Sequence, residues 1–214
     1  MKILSSYFSA NGPGAALGIA VDGQEPRIEC VGLADIGRGA RIGPDTLFDL
    51  ASGTKMFTAT AVMLLVERGE LDLTAPVADY LPLIERSGKH RPIVLGDLLS
   101  HTSGLPDYLQ SGMYSSAEEV CPERINAQLP EWSRKARPGQ HYSYCNTNYL
   151  VLANIIEAVS GSSYTEFIRA NLIDPLGLRR SLLSTEIEQT ADMARGYRVA
   201  GYGLPAIEAA EPFE

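Results

Sequence analysis

Thr46-Leu47-Phe48-Asp49-Leu50-Ala51-Ser52-Gly53-Thr54-Lys55 runs straight into an apolar stretch, residues 56–66. Residues 46–51 read as a strand, and residues 52–68 as a helix closed by Gly69. Ser52 and Lys55, three positions apart, fall on one helical face. The first turn of that helix adds orphan N–H groups and positive dipole beside the hydroxyl. A serine hydroxyl next to an amine is the local equipment of acyl transfer with a lysine base. The spacing alone is weak, since about 0.3 such pairs arise by chance in a chain with this many Ser and Lys.

Working outward, residues 14–21 and 27–34 form two short apolar runs joined by Asp22-Gly23-Gln24-Glu25-Pro26, a hairpin with Asp-Gly as its turn signal. A polar, Gly-rich loop spans residues 35–45. After the Ser52 helix, Pro76 and Pro82 mark short turns, and residues 94–100 form a brief helix ahead of the turn-rich His101-Thr102-Ser103-Gly104-Leu105-Pro106. Further helices are expected over residues 116–129, 147–159 (closed by Ser160-Gly161) and 163–172 (stopped by Asp174-Pro175). Residues 196–203 read as extended or loop. The chain thus divides into N-terminal strands (1–50), a helical block (51–180) and an irregular tail (181–214). Two or three strands are few for such a block, so the fold class is α+β with an incomplete antiparallel sheet.

Composition narrows the function. A net charge of −8 with scattered Lys and Arg opposes nucleic-acid or anionic-membrane binding, which need a basic patch. Residues 59–66, the longest apolar run, are far short of a membrane span. Cys30, Cys121 and Cys145 signal neither a disulfide framework nor a zinc ribbon. His90, His101 and His141 lack metal-ligand spacing, so no metal is expected. Gly37-Arg38-Gly39 does not complete a dinucleotide fingerprint. The N-terminus reads as no secretory leader, giving a cytoplasmic expectation, or periplasmic or secreted if the N-terminus has been trimmed.

The second chemical constellation is Tyr144-Cys145-Asn146, just before the helix expected from Thr147. A phenol beside a cation can serve as acid or base, and an asparagine offers both a donor and an acceptor. The plain structural alternative is a packed tyrosine and a helix-capping asparagine. Cys145 with His141 also admits a cysteine hydrolase, although a small buried thiol is the commoner case.

Taken in order, the motifs are Thr46-Leu47-Phe48-x-x-Ala51-Ser52-x-x-Lys55, Leu64-x-x-Glu67-x-Gly69-x-Leu71-x-Leu73, Leu98-Leu99-Ser100-His101-Thr102-Ser103-Gly104-Leu105-Pro106, Pro138-Gly139, Tyr144-x-Asn146-Thr147-Asn148-Tyr149 and Ala194-Arg195-Gly196-Tyr197. This series resembles the serine β-lactamase-related family of class C β-lactamases, D-alanyl-D-alanine carboxypeptidases and related carboxylesterases. The resemblance implies a β-lactamase/transpeptidase-like fold, an antiparallel sheet packed with a helical block.

It further implies Ser52 as nucleophile, Lys55 as its proton acceptor, Tyr144 as acid/base toward the leaving group and Asn146 as a substrate-positioning residue. The N–H of Ser52 would form half of an oxyanion hole, and the loop from His101 to Pro106 would brace the site. Packing against Met56 and Ala59 is expected to favour the neutral Lys55 amine, with Lys55 and Tyr144 titrating as a pair. No cofactor is implied. The partner would be a small-molecule ester, amide, β-lactam or short peptide. One departure stands out: neither Lys-Thr-Gly nor His-x-Gly occurs after Tyr144. That motif would line the far wall and supply the second oxyanion N–H, so the alternative to a working hydrolase is a catalytically impaired fragment or a ligand-binding protein of the same fold.

Overall fold

The computed structural model describes residues 3–82, 84, 91–110, 125–127, 136–183, 192–200 and 206–209. The chain divides into two compact units, Met1–Ala51 with Arg180–Glu214, and Ser52–Arg179.

The second unit is helical. A 3-10 turn at Ala51–Gly53 leads into α1, Thr54–Glu67, so the α-helix begins two residues later than the apolar pattern implies. α1 buries Thr58, Ala61, Val62 and Leu65, the three–four spacing of one helical stripe. Two short helices follow, α2 (Val77–Tyr80) and α3 (Leu95–Leu99), and then the long α4 (Asn146–Ser160). α4 packs against both α1 and α3. Val62, Leu65, Leu95, Leu98, Val151, Leu152, Ile155 and Ile156 are all fully buried there. Burying an aliphatic side chain of this size contributes about 1.5–3 kcal/mol, so this seam is the main source of stability beneath the site.

α4 closes at Gly161, and Ser163 and Glu166 form a reciprocal cap at the start of α5, Tyr164–Ile168. α5 widens into a π-helical turn at Arg169–Ile173 instead of continuing as one α-helix. The Tyr164 hydroxyl lies 2.8 Å from Thr58 Oγ1, tying α5 to α1. Of the helix expected over residues 116–129, residues 125–127 are helical and the remainder lies outside the described residues.

The first unit carries three two-stranded antiparallel ladders. β1 (Ala15–Ile19) pairs with β2 (Arg27–Val31) in the expected hairpin, and the Gln24 N–H donates to the Val21 carbonyl across Asp22-Gly23. The apolar run 27–34 is not one strand. It breaks at Gly32 (φ 82°), where a Cβ would overlap the backbone of Gly14, and β3 (Leu33–Asp35) then pairs with β4 (Ala40–Arg41). β5 (Tyr197–Ala200) pairs with β6 (Ala206–Ala209).

Residues 46–51 do not form the expected strand. Leu47 alone makes a bridge, to Met193, with the Leu47 N–H donating to the Asp192 carbonyl and the Ala194 N–H to the Leu47 carbonyl. Two residues on from Met193, the Arg195 N–H donates to the Ala34 carbonyl instead. Ala194-Arg195-Gly196-Tyr197 acquires a structural role: Arg195 pairs with the buried Asp35 at 3.0 Å, and the Tyr197 hydroxyl accepts from the Ile36 N–H at 2.7 Å.

Candidate active site

Ser52, Lys55, Tyr144 and Asn146 all lie in the unit Ser52–Arg179. Ala51 adopts a left-handed backbone (φ 43°), turning the chain immediately ahead of Ser52. Ser52 then sits on the 3-10 turn and Lys55 in the first turn of α1, and Lys55 Nζ donates to Ser52 Oγ at 3.2 Å. Tyr144 arrives from the other side, its hydroxyl 2.7 Å from Ser52 Oγ. Asn146, the first residue of α4, accepts from Lys55 Nζ through Oδ1 at 2.8 Å. Four residues from two segments roughly ninety positions apart thus converge on one hydroxyl and one amine.

Lys55 is not sheltered as expected. Met56 is 68% exposed, since the next residue on a helix turns about 100° away. The amine is flanked by aromatic faces instead, 5.0 Å from the Tyr144 ring centroid and 5.5 Å from that of Tyr149.

The tyrosines of this unit separate by environment. Burial pushes the phenols of Tyr108, Tyr149 and Tyr164 up. Partial burial acts on Tyr144 in the same sense, but hydrogen bonding with Lys55 and Ser52 and the lysine charge outweigh it, and the phenol falls below its ordinary value. A group so displaced is suited to passing a proton near Ser52.

The loop from His101 braces this arrangement. Asp97 in α3 accepts from the Val94 N–H, from Thr102 Oγ1 and from both nitrogens of the Arg91 fork, fixing the chain where the loop begins. His101 (φ 56°) offers its carbonyl to the Ser143 N–H, and Thr102 offers its carbonyl to the Gly139 N–H. Gly104 (φ 76°) passes so close to the Ala136 carbonyl that no side chain fits.

The His101 ring lies against Tyr144, centroids 4.5 Å apart, and also against Tyr149 and Tyr142. Its Nδ1 accepts from the Cys145 N–H at 3.1 Å and so carries the lone pair, leaving the proton of the neutral ring on Nε2. Burial, followed by the Lys55 charge, lowers the imidazole below its ordinary value. His101 therefore holds the backbone at Cys145, between Tyr144 and Asn146.

Residues that sequence reasoning missed form the layer below. Asp107, 5% exposed, accepts from Asn146 Nδ2 at 3.3 and 3.2 Å. Ser103 Oγ donates to Asn148 Oδ1 at 2.6 Å, and Thr147 Oγ1 donates to the Pro106 carbonyl at 2.7 Å. Among the described residues, every buried side-chain nitrogen and oxygen has a partner. The Tyr-x-Asn-Thr-Asn-Tyr run was visible in sequence, but nothing local indicated that its second Asn and its Thr would face the loop 103–107.

The cysteine-nucleophile alternative fares poorly. Cys145 is 2% exposed, its thiol faces the Leu105 and Pro106 carbonyls at 3.5 and 3.6 Å, and burial pushes it up, away from the reactive thiolate. Among the described residues no group of three or more His, Cys, Asp or Glu is placed to hold a metal ion, and His90 lies outside them. No described helix is long and apolar enough to cross a membrane.

The family model described as Beta-lactamase matches residues 7–213. The chain belongs to the Beta-lactamase family. Penicillin-binding protein 4 of Amycolatopsis lactamdurans is 35% identical over 176 residues, which are 81% of this chain and 45% of that protein. The octameric penicillin-binding protein homologue of Pyrococcus abyssi superposes with a TM-score of 0.77 at 30% identity, covering 94% of this chain and 47% of that one. A β-lactamase/D-alanine carboxypeptidase of Yersinia pestis gives 0.76 at 28% identity, covering 86% and 54%. The fold is that of the β-lactamases and penicillin-binding proteins, and the chain spans about half the length of the family members it matches.

Proposed function

We propose that this chain carries the reaction centre of a serine hydrolase working through an acyl-enzyme on an amide, ester or β-lactam bond. The supporting observation is the position of Ser52 Oγ, between the Tyr144 hydroxyl at 2.7 Å and the Lys55 amine at 3.2 Å. Ser52 Oγ attacks the substrate carbonyl carbon and gives its proton to the Lys55–Tyr144 pair. Tyr144 returns a proton to the departing nitrogen or oxygen as the carbonyl–leaving-group bond breaks. Water then attacks the ester on Ser52 and gives a proton to the same pair, which returns one to Ser52 Oγ as the bond from Oγ to the acyl carbon breaks and the acid leaves. The Ser52 N–H, at the start of the helix, is one donor to the oxyanion. Asn146 orients substrate beside Lys55. These groups are all protein side chains or backbone, and the reaction as written calls on no cofactor.

Substrate is a small ester, amide, β-lactam or short peptide, in keeping with the penicillin-binding and D-alanine carboxypeptidase names among the relatives. The alternative reading is a ligand-binding or catalytically impaired chain of the same fold. Incubation with a penicillin, and separately with a short-chain p-nitrophenyl ester, separates the two. The hydrolase reading expects a stable mass increase or p-nitrophenolate release that Ser52→Ala abolishes. Reversible retention of ligand with no adduct and no turnover from folded protein would favour the second.

A further inference from the structure

Asp107 is buried, sits in a loop and makes no hydrogen bond to Ser52, Lys55 or Tyr144, yet its carboxylate faces the site through one intermediary. Both carboxylate oxygens accept from Asn146 Nδ2, at 3.3 and 3.2 Å, while Asn146 Oδ1 accepts from Lys55 Nζ at 2.8 Å. A primary amide has one donating end and one accepting end, and a carboxylate only accepts. Reversing the Asn146 amide would set its oxygen against the carboxylate and its N–H groups against the lysine amine, opposing both contacts at once when the lysine is charged.

The carboxylate is itself held. Leu109 N–H donates to Asp107 Oδ1 at 3.1 Å. Thr147, next in α4 after Asn146, grips the same loop from both sides of Asp107. Its hydroxyl donates to the Pro106 carbonyl at 2.7 Å and accepts from the Tyr108 N–H at 3.1 Å. These contacts tie the loop to the first turn of α4.

We propose that Asp107 is a positioning residue of this site, its carboxylate locking the Asn146 amide in the single orientation that presents an oxygen to Lys55. The catalytic consequence rests on the hydrolase reading above, whereas the orientation itself does not. The titratable groups around Lys55 and Asn146 are Tyr144, Tyr149, His101, Tyr108 and Cys145, and Asp107 is the acidic one that hydrogen-bonds to Asn146.

Asp107→Asn keeps the shape but adds a donor, so the Asn146 amide is free to turn over. Two readouts test it in the full chain. The rate of penicillin acylation is expected to fall about 10- to 100-fold in D107N, the scale of small misplacements in a reaction centre. In an Asn146→Ala background the same change should cost less than about threefold, because the intermediary is gone. A wild-type rate in D107N, or an equal loss in both backgrounds, would overturn the proposal.

The second readout needs no chemistry. The chain has six asparagines, and the side-chain amide signals of Asn146 in a 15N-correlated spectrum are those missing in N146A. They should shift or double in D107N, and an unchanged position contradicts the lock. If wild type never acylates, the hydrolase reading falls while this spectrum still decides the role of Asp107. Should D107N fail to give a folded spectrum, Asp107→Glu takes its place. There the carboxylate, displaced by one methylene, should move the same signals, and unmoved signals would again overturn the proposal.

Discussion

The candidate site has two layers that treat polar groups in opposite ways. On top, Ser52 is exposed and Tyr144 is 37% exposed, their hydroxyls share a hydrogen bond, and Ser52 also accepts from Lys55. Beneath, Ser103, Asp107, Thr147 and Asn148 are buried and tied to one another, to His101 and to the backbone. The upper groups can exchange protons among themselves with little rearrangement. The lower ones are held by contacts whose loss is costly, because a buried polar group without a partner forfeits its hydration. On the proposed function, the upper layer carries the chemistry and the lower layer holds its geometry.

That division can be broken by substitution. Lys55→Ala and Tyr144→Phe act on the upper layer, and each should slow acylation by about 10²–10⁴-fold, the usual worth of a positioned acid or base. Both should leave urea unfolding within about 1 kcal/mol of wild type, as expected near the surface. Asn148→Ala acts on the lower layer and should show the reverse. It removes the acceptor of the buried Ser103 hydroxyl proton and should cost about 1–3 kcal/mol in unfolding free energy, with the smaller effect on acylation at a temperature where the variant stays folded.

Two titrations sharpen the comparison further. Replacing Lys55 by Met removes the contacts that hold the Tyr144 phenol low, so its titration, followed by 13C-tyrosine NMR, should move to higher pH. His101 behaves in the opposite sense to a salt-bridged histidine. Its folded value lies below the ordinary 6.5, so the unfolded chain binds more protons in that window. Stability from this group is complete above about pH 6.5 and is lost as pH falls toward the folded value. Urea unfolding as a function of pH should therefore show a slope in that window that is reduced in His101→Gln.

Much of the helical unit was legible because its signals are local. The apolar helix from residue 56, the Gly161 stop and the helix beginning near residue 163 each follow from spacing or from one residue's backbone preference. Ser52, Lys55, Tyr144 and Asn146 could be singled out because ordered motifs carry them, and the structure brings them together. What escaped was set by distant partners. Gly32 interrupts a run of strand-forming residues because Gly14 passes behind it. Residues 46–51 have strand-like composition, yet only Leu47 finds a bridging partner, at Met193. Asp107 carries no local sequence signal, and its meaning comes from Asn146, 39 positions away.

The most direct test of the account is peptide mapping after incubation with a penicillin. The acyl group should sit on the peptide containing Ser52, at a level that falls steeply in Lys55→Ala and is absent in Ser52→Ala. An adduct mapped to any other residue, or one retained in Ser52→Ala, would contradict the assignment of Ser52 as the nucleophile.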